Sequence, residues 1–178
     1  MAIEQKYEDD VTGALSTVKG SDGRGNVSSR TDSRGYYNSR DEELAFSSVF
    51  DFQAAAATEY GAYLKNTSST LTMVISAIGV NSAAAQRIKL HRVTGTAAAG
   101  DSTTPVNMHL SSPKAAAATA MEGASAGTGI TGLSSTSVID FVYVLAGGHE
   151  ELRLDDRLRL GQNEAIAIQN FEGTGDIS

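Results

Sequence analysis

The chain contains no cysteine and no tryptophan, and only two of its 178 residues are proline. Without cysteine there can be no disulfide, no thiolate nucleophile and no Cys-ligated zinc. Such usage fits a protein made in a reducing cytoplasm. Aromatic residues are scarce at 6%, so the bulk available for a core is modest. Long apolar runs are missing as well. The longest, from Val138 to Ala146, includes Asp140. It is far shorter than the roughly 20 residues that a membrane-spanning helix needs. The opening residues Met1-Ala2-Ile3-Glu4-Gln5-Lys6 hold no apolar stretch, so no secretory signal is expected. Positive charge is in short supply too. Fourteen Lys and Arg face 21 Asp and Glu, for a net charge of −7. Phosphate neutralisation and anionic membrane surfaces both call for clustered cations, so neither nucleic acid nor membrane is expected as a partner.

What is present divides in two. Residues 1–44 carry Lys6, Lys19, Arg24, Arg30, Arg34 and Arg40 against nine acids, with Tyr7, Leu15 and Val27 scattered among glycines and serines. Ser-Arg recurs at 29–30, 33–34 and 39–40. That composition buries too little apolar surface to offset the entropy of ordering it. It reads as an extended polar arm, with a short helix over residues 8–19 as its one local element. Fully extended, it would reach about 145 Å.

Residues 45–178 read as an all-β domain. Phe46, Ser48, Phe50 and Phe52 alternate with Ser47, Val49 and Asp51, the pattern of a half-buried strand. Further strands are expected over 60–65, 71–80, 87–93, 106–110, 137–146, 152–160 and 164–171. In 87–93, Ile88 and Leu90 would face inward, with Lys89 and His91 outward. In 106–110, Val106, Met108 and Leu110 would face the core. The stretch 137–146 is apolar on both faces and so reads as a central strand. Asp156 interrupts the alternation of Leu152, Leu154, Leu158 and Leu160, which implies a bend. Residues 112–136, rich in alanine and glycine, read as a helical turn and a long surface loop. About eight short strands joined by Gly/Ser/Asn turns point to an antiparallel β-sandwich, with a jelly roll as the preferred form.

Motifs for chemistry are sparse. Gly123-Ala124-Ser125-Ala126-Gly127 matches the nucleophile elbow, which needs a strand before it and a helix after it. In an Ala/Gly/Ser tract, a chance match is the better reading. His91, His109 and His149 are the three candidate general bases, and none has a second histidine at metal-ligand spacing. Asp155 and Asp156 are adjacent on a strand and so point to opposite faces. With Arg153, Arg157 and Arg159 nearby, ion pairs explain them better than a glycosidase pair. Asn26-Val27-Ser28 and Asn66-Thr67-Ser68 match glycosylation sequons.

Three segments carry a resemblance: Tyr63-Leu64-Lys65-Asn66-Thr67-Ser68, Ile75-Ser76-Ala77-Ile78-Gly79-Val80, and Ile88-Lys89-Leu90-His91-Arg92-Val93. The closing hairpin from Leu158 to Ile168 adds to it. Over about residues 45–171 the chain resembles small β-sandwich structural proteins of tailed bacteriophage particles. The resemblance implies a non-enzymatic virion protein that decorates or cements the capsid, or sits at the neck or tail. It implies no catalytic residue, cofactor or metal. The implied partners are the major capsid protein or other virion proteins, together with copies of the chain itself, a trimer being favoured. Arg24, Arg30, Arg34, Tyr36, Tyr37 and Arg40 are the expected interface residues, since Tyr and Arg are frequent anchors and guanidinium groups pair bidentately with carboxylates. A carbohydrate-binding module is the alternative from another class, although sugar platforms usually use exposed aromatics.

Overall fold

The computed structural model describes residues 5–8, 15–18, 42–53, 58–124, 127–172 and 176–177. The chain divides into two units, Met1–Tyr37 and Asn38–Ser178. In the first, β1 (Gln5–Glu8) pairs antiparallel with β2 (Leu15–Val18), Gln5 opposite Val18 and Glu8 opposite Leu15. Leu15–Val18 is therefore strand, not the helix read over 8–19. A helix of about twelve residues is marginal in water by itself, whereas a partner strand supplies hydrogen bonds at once.

The second unit is all-β, and no helix occurs among the described residues. Its strands are β3 (Phe46–Ser47), β4 (Phe52–Gln53), β5 (Tyr60–Asn66), β6 (Met73–Ser82), β7 (Gln86–Ala98) and β8 (Gly100–Thr103), followed by β9 (Val106–Asn107) and β10 (Ala118–Gly123). Then come β11 (Thr131–Val144), β12 (Gly148–Leu160), β13 (Ala165–Glu172) and β14 (Asp176–Ile177). One sheet has the order β11-β7-β13-β5-β10-β8, a second β12-β6-β14-β4, and β3 pairs with β9 alone; every ladder is antiparallel.

Chain continuity forces the larger sheet to curl. Only Ala99, in the left-handed region at φ 60°, separates β7 from β8. Three strands lie between those two in the sheet, which would put them about 19 Å apart if it were flat. Two residues of chain span no more than about 7 Å, so that end of the sheet must wrap round. Its concave side holds Tyr63, Val93, Ile130, Ala165 and Ala167, all buried, with Tyr60, Ala97, Met121 and Leu133 against them. Ile130 closes the curl: its N–H donates to the Tyr60 carbonyl at 2.8 Å, and a Cβ on Gly100 of β8 would lie 3.0 Å from its Cγ1.

The opposite face of the six-stranded sheet packs on the four-stranded one. Ile88 and Val144 meet Val80, and Leu90 and Ile166 meet Leu160. Alternation explains both sides: along β7, Ile88 and Leu90 face the second sheet while Val93 faces the curl.

In the second unit the structure departs from the sequence reading in five places. Phe46 to Phe52 is not one strand but two short ones in different sheets. His91 is buried, because the curl covers the face that a flat sheet would expose to water. In 106–110 the faces are reversed: Asn107 is buried, and Val106, Met108 and Leu110 are exposed. Within 112–136 lies β10, whose small Ala120 fits a buried site and whose backbone pairs with both β5 and β8. Finally, 137–146 belongs to β11, which is an edge strand and not a central one. In β12, a register shift falls between Arg153 and Leu158, around Asp156.

Candidate protein-docking surfaces

Two apolar surfaces are exposed, and each has a local cause. The first surrounds β9. Asn107 is buried because its amide serves three backbone groups. Nδ2 donates to the carbonyls of Glu43 at 2.8 Å and Lys114 at 3.2 Å, and Oδ1 accepts from the N–H of His109 at 2.9 Å. Glu43 adds a carboxylate contact, accepting from Ser112 Oγ at 2.7 Å, and Lys114 Nζ donates to the Glu42 carbonyl at 2.7 Å. Residues 42–47 are thus pinned to the 106–114 segment. With Asn107 turned inward, its neighbours must turn out. Leu110 is 88% exposed and Val49 79%. Together with Ser47, Thr103, Thr104, Val106 and Met108 they line an open groove of about 570 Å³.

The second surface is the outer part of β11. Val142 and Val144 pack inward on the core, while Phe141 and Tyr143 alternate with them and are half exposed. The Arg87 guanidinium lies 4.7 Å from the Phe141 ring centroid and 5.7 Å from that of Tyr143, which holds both rings on one face.

The candidates for chemistry do not converge. His91 lies on β7, His109 after β9 and His149 on β12. Among the described residues, no three His, Asp or Glu side chains gather in a metal-holding group. His149 Nδ1 is 2.9 Å from Asn81 Oδ1 on the surface. Asp155 and Asp156 fall at the β12 register shift, and their side chains lie outside the described residues. Near them Arg153 donates to Glu151 at 3.1 Å along the same strand. Ser125 of the elbow-like motif also lies outside the described residues. Its flanks form a turn, with the Ala124 N–H donating to the Thr128 carbonyl at 2.9 Å, and the chain continues into β11, not into a helix. Asn66 of the second sequon is fully buried, with its amide hydrogens donated to Leu71 and Leu160 carbonyls. The arm residues Arg24, Arg30, Arg34, Tyr36, Tyr37 and Arg40 lie outside the described residues.

Of the three histidines, His91 is the buried one. Its Nδ1 is 2.8 Å from Ser135 Oγ, and the ring stands edge-on to Tyr60 at 5.7 Å between centroids. Burial holds its pKa below the ordinary 6.5, and the Lys89 charge works in the same direction; a contact with Gln169 opposes them. Burial likewise raises the Tyr60 phenol. Above pH 6.5 His91 is neutral whether folded or unfolded, so it leaves stability unchanged there. As pH falls below 6.5, the unfolded chain takes up this proton first, and folding stability declines. His91→Phe should flatten that decline below pH 6.5, as read from urea midpoints across pH. Equal slopes in both proteins would count against a neutral buried ring.

The two apolar surfaces are the features that sequence reading missed, and Val49, Leu110 and Phe141 are their main residues. No protein family, curated protein or solved structure matches the chain.

Proposed function

We infer that the chain is a virion structural protein. In this reading it binds and stabilises a capsid as a decoration or cement protein, through its N-terminal arm and a β-sandwich for which the sequence favours a jelly-roll form. The observation that carries the reading is the apolar groove beside β9. Soluble monomers seldom expose large contiguous apolar patches, and such patches mark protein contacts. In this reading the arm contributes Arg24, Arg30, Arg34, Tyr36, Tyr37 and Arg40 to the contact. The partner is the major capsid protein or another virion protein, and the protein's location is the virion.

Deleting residues 1–40 should abolish binding to particles and leave the urea midpoint of the remaining domain nearly unchanged. Leu110→Glu should weaken binding at least about tenfold, since a carboxylate would be buried without a partner. Particles that take up both variants at full occupancy would remove the arm and the groove from the mechanism. Copies per particle separate a shell position, with hundreds, from a neck or tail position, with a few dozen at most.

A further inference from the structure

Proteins normally protect sheet edges, because an open row of N–H and C=O groups invites another strand. Three edges of the two sheets are protected here. β8 has four residues and β4 two. β12 carries Glu150, Glu151, Arg153, Arg157 and Arg159. β11 is different. It runs for fourteen residues with Asp140 as its sole charge and no lysine or proline. Its ladder with β7 is irregular as far as Val138 and regular from Asp140 to Val144. The exposed residues around that regular stretch are apolar: Phe141 at 51%, Tyr143 at 56% and Leu145 at 75%.

We propose that β11 pairs antiparallel with β11 of a second copy of this chain, about a two-fold axis through Val142, so that the two six-stranded sheets join into one. This proposal stands apart from the virion reading. The stretch is complementary to itself in this register. Phe141 faces Tyr143 of the other copy, and Tyr143 faces its Phe141. Val142 meets Val142, and Asp140 meets Val144. Aromatic cross-strand pairs are among the favourable ones. The two Asp140 carboxylates sit about 13 Å apart along the strands, beyond the screening length of about 8 Å at physiological salt. The area is also of the right order. A stable interface needs about 1,000 Å² in all, or about 500 Å² from each copy. Two half-exposed aromatics, each of a type that buries roughly 150–250 Å² in full, have about 150–250 Å² between them left to contribute. Val138, Ile139 and Leu145 flank them and are exposed as well. An edge that pairs with itself closes after two copies. The contact therefore gives a dimer, not the trimer that the resemblance implies.

Sedimentation equilibrium of the full chain at micromolar concentration should give twice the 18.5 kDa chain mass. Phe141→Glu should remain folded, because Arg87 and Lys89 lie beside the new carboxylate, and should raise the dimer dissociation constant at least about tenfold. The chain has no cysteine, so single cysteines report the register. Facing Cα atoms in an antiparallel pair are about 4.5–5.5 Å apart, within disulfide range. Val142→Cys should cross-link on oxidation, and Ile139→Cys, which would face Leu145, should not. A monomeric wild type overturns the proposal, even if β11 binds some other protein. So does a dimer indifferent to Phe141→Glu, or cross-linking at 139 without cross-linking at 142.

Discussion

Phe52→Ala is expected to lower the unfolding free energy by about 3–5 kcal/mol, the range for deleting a buried phenyl ring. Phe52 stands on β4, a two-residue strand at the edge of the smaller sheet. Its buried ring lies on Gly61 of β5 and Gly123 of β10. Those glycines follow directly from the paired positions Ala62 and Glu122, and so sit side by side in the larger sheet. A Cβ at either would land inside the van der Waals surface of the ring. Two absent side chains thus make the floor on which one aromatic ties the two sheets together. Removing the ring leaves a cavity that strands on both sides are too well bonded to close. For a chain of this length the loss corresponds to about 6–20 °C in melting temperature. Gly123→Val is the converse test: it overfills the same site and should cost at least about 1–3 kcal/mol. A Phe52→Ala melt within 1–2 °C of wild type would show that the ring is not the bridge.

Asn66→Ala should cost about 1–3 kcal/mol, the penalty for leaving the buried Leu160 carbonyl unsatisfied. The side chain is fully buried at the end of β5. Its Nδ2 donates to the Leu71 and Leu160 carbonyls, both at 2.8 Å, and its Oδ1 accepts from the Ser68 N–H at 2.9 Å. Its main chain adds two more bonds, donating to the Glu164 carbonyl at 3.1 Å and accepting from the Asn163 N–H at 2.8 Å. One residue therefore fastens the β5–β6 and β12–β13 turns to each other. Alanine would keep the main-chain bonds and strand three backbone groups. Asn66→Asp would keep only the acceptor and set a carboxylate against two carbonyls, so it should be no better than alanine at neutral pH. Faster amide exchange at Asn163 and Glu164 in both variants would locate the damage. Unchanged exchange there would mean that the turns hold without the Asn66 side chain.

Much of the β domain was legible in the sequence. Tyr60–Asn66, Met73–Ser82 and Ala165–Glu172 lie within a few residues of the expected strands. Alternation locates a strand wherever one face is wet and the other dry, and the Asp156 interruption marked the β12 shift for the same reason. The candidate surfaces were not legible. Val106, Met108 and Leu110 alternate as a buried face would, yet they point out, because the three hydrogen bonds of Asn107 outweigh the pull on its neighbours. Alanine propensity misled over β10, where pairing on both sides overrode a preference worth under 1 kcal/mol per residue.

The sequence by itself determined the class of the fold and its exclusions: antiparallel strands, an acidic surface, no thiol chemistry and a polar leading segment. Those follow from composition and short-range periodicity, which act locally along the chain. Only the tertiary structure decided which faces are dry. The curl that buries His91, the glycine floor under Phe52 and the open edge of β11 all depend on residues far apart in sequence. An apolar face reads the same in sequence whether its own core or a second molecule covers it, because burial is a property of the neighbours and not of the strand.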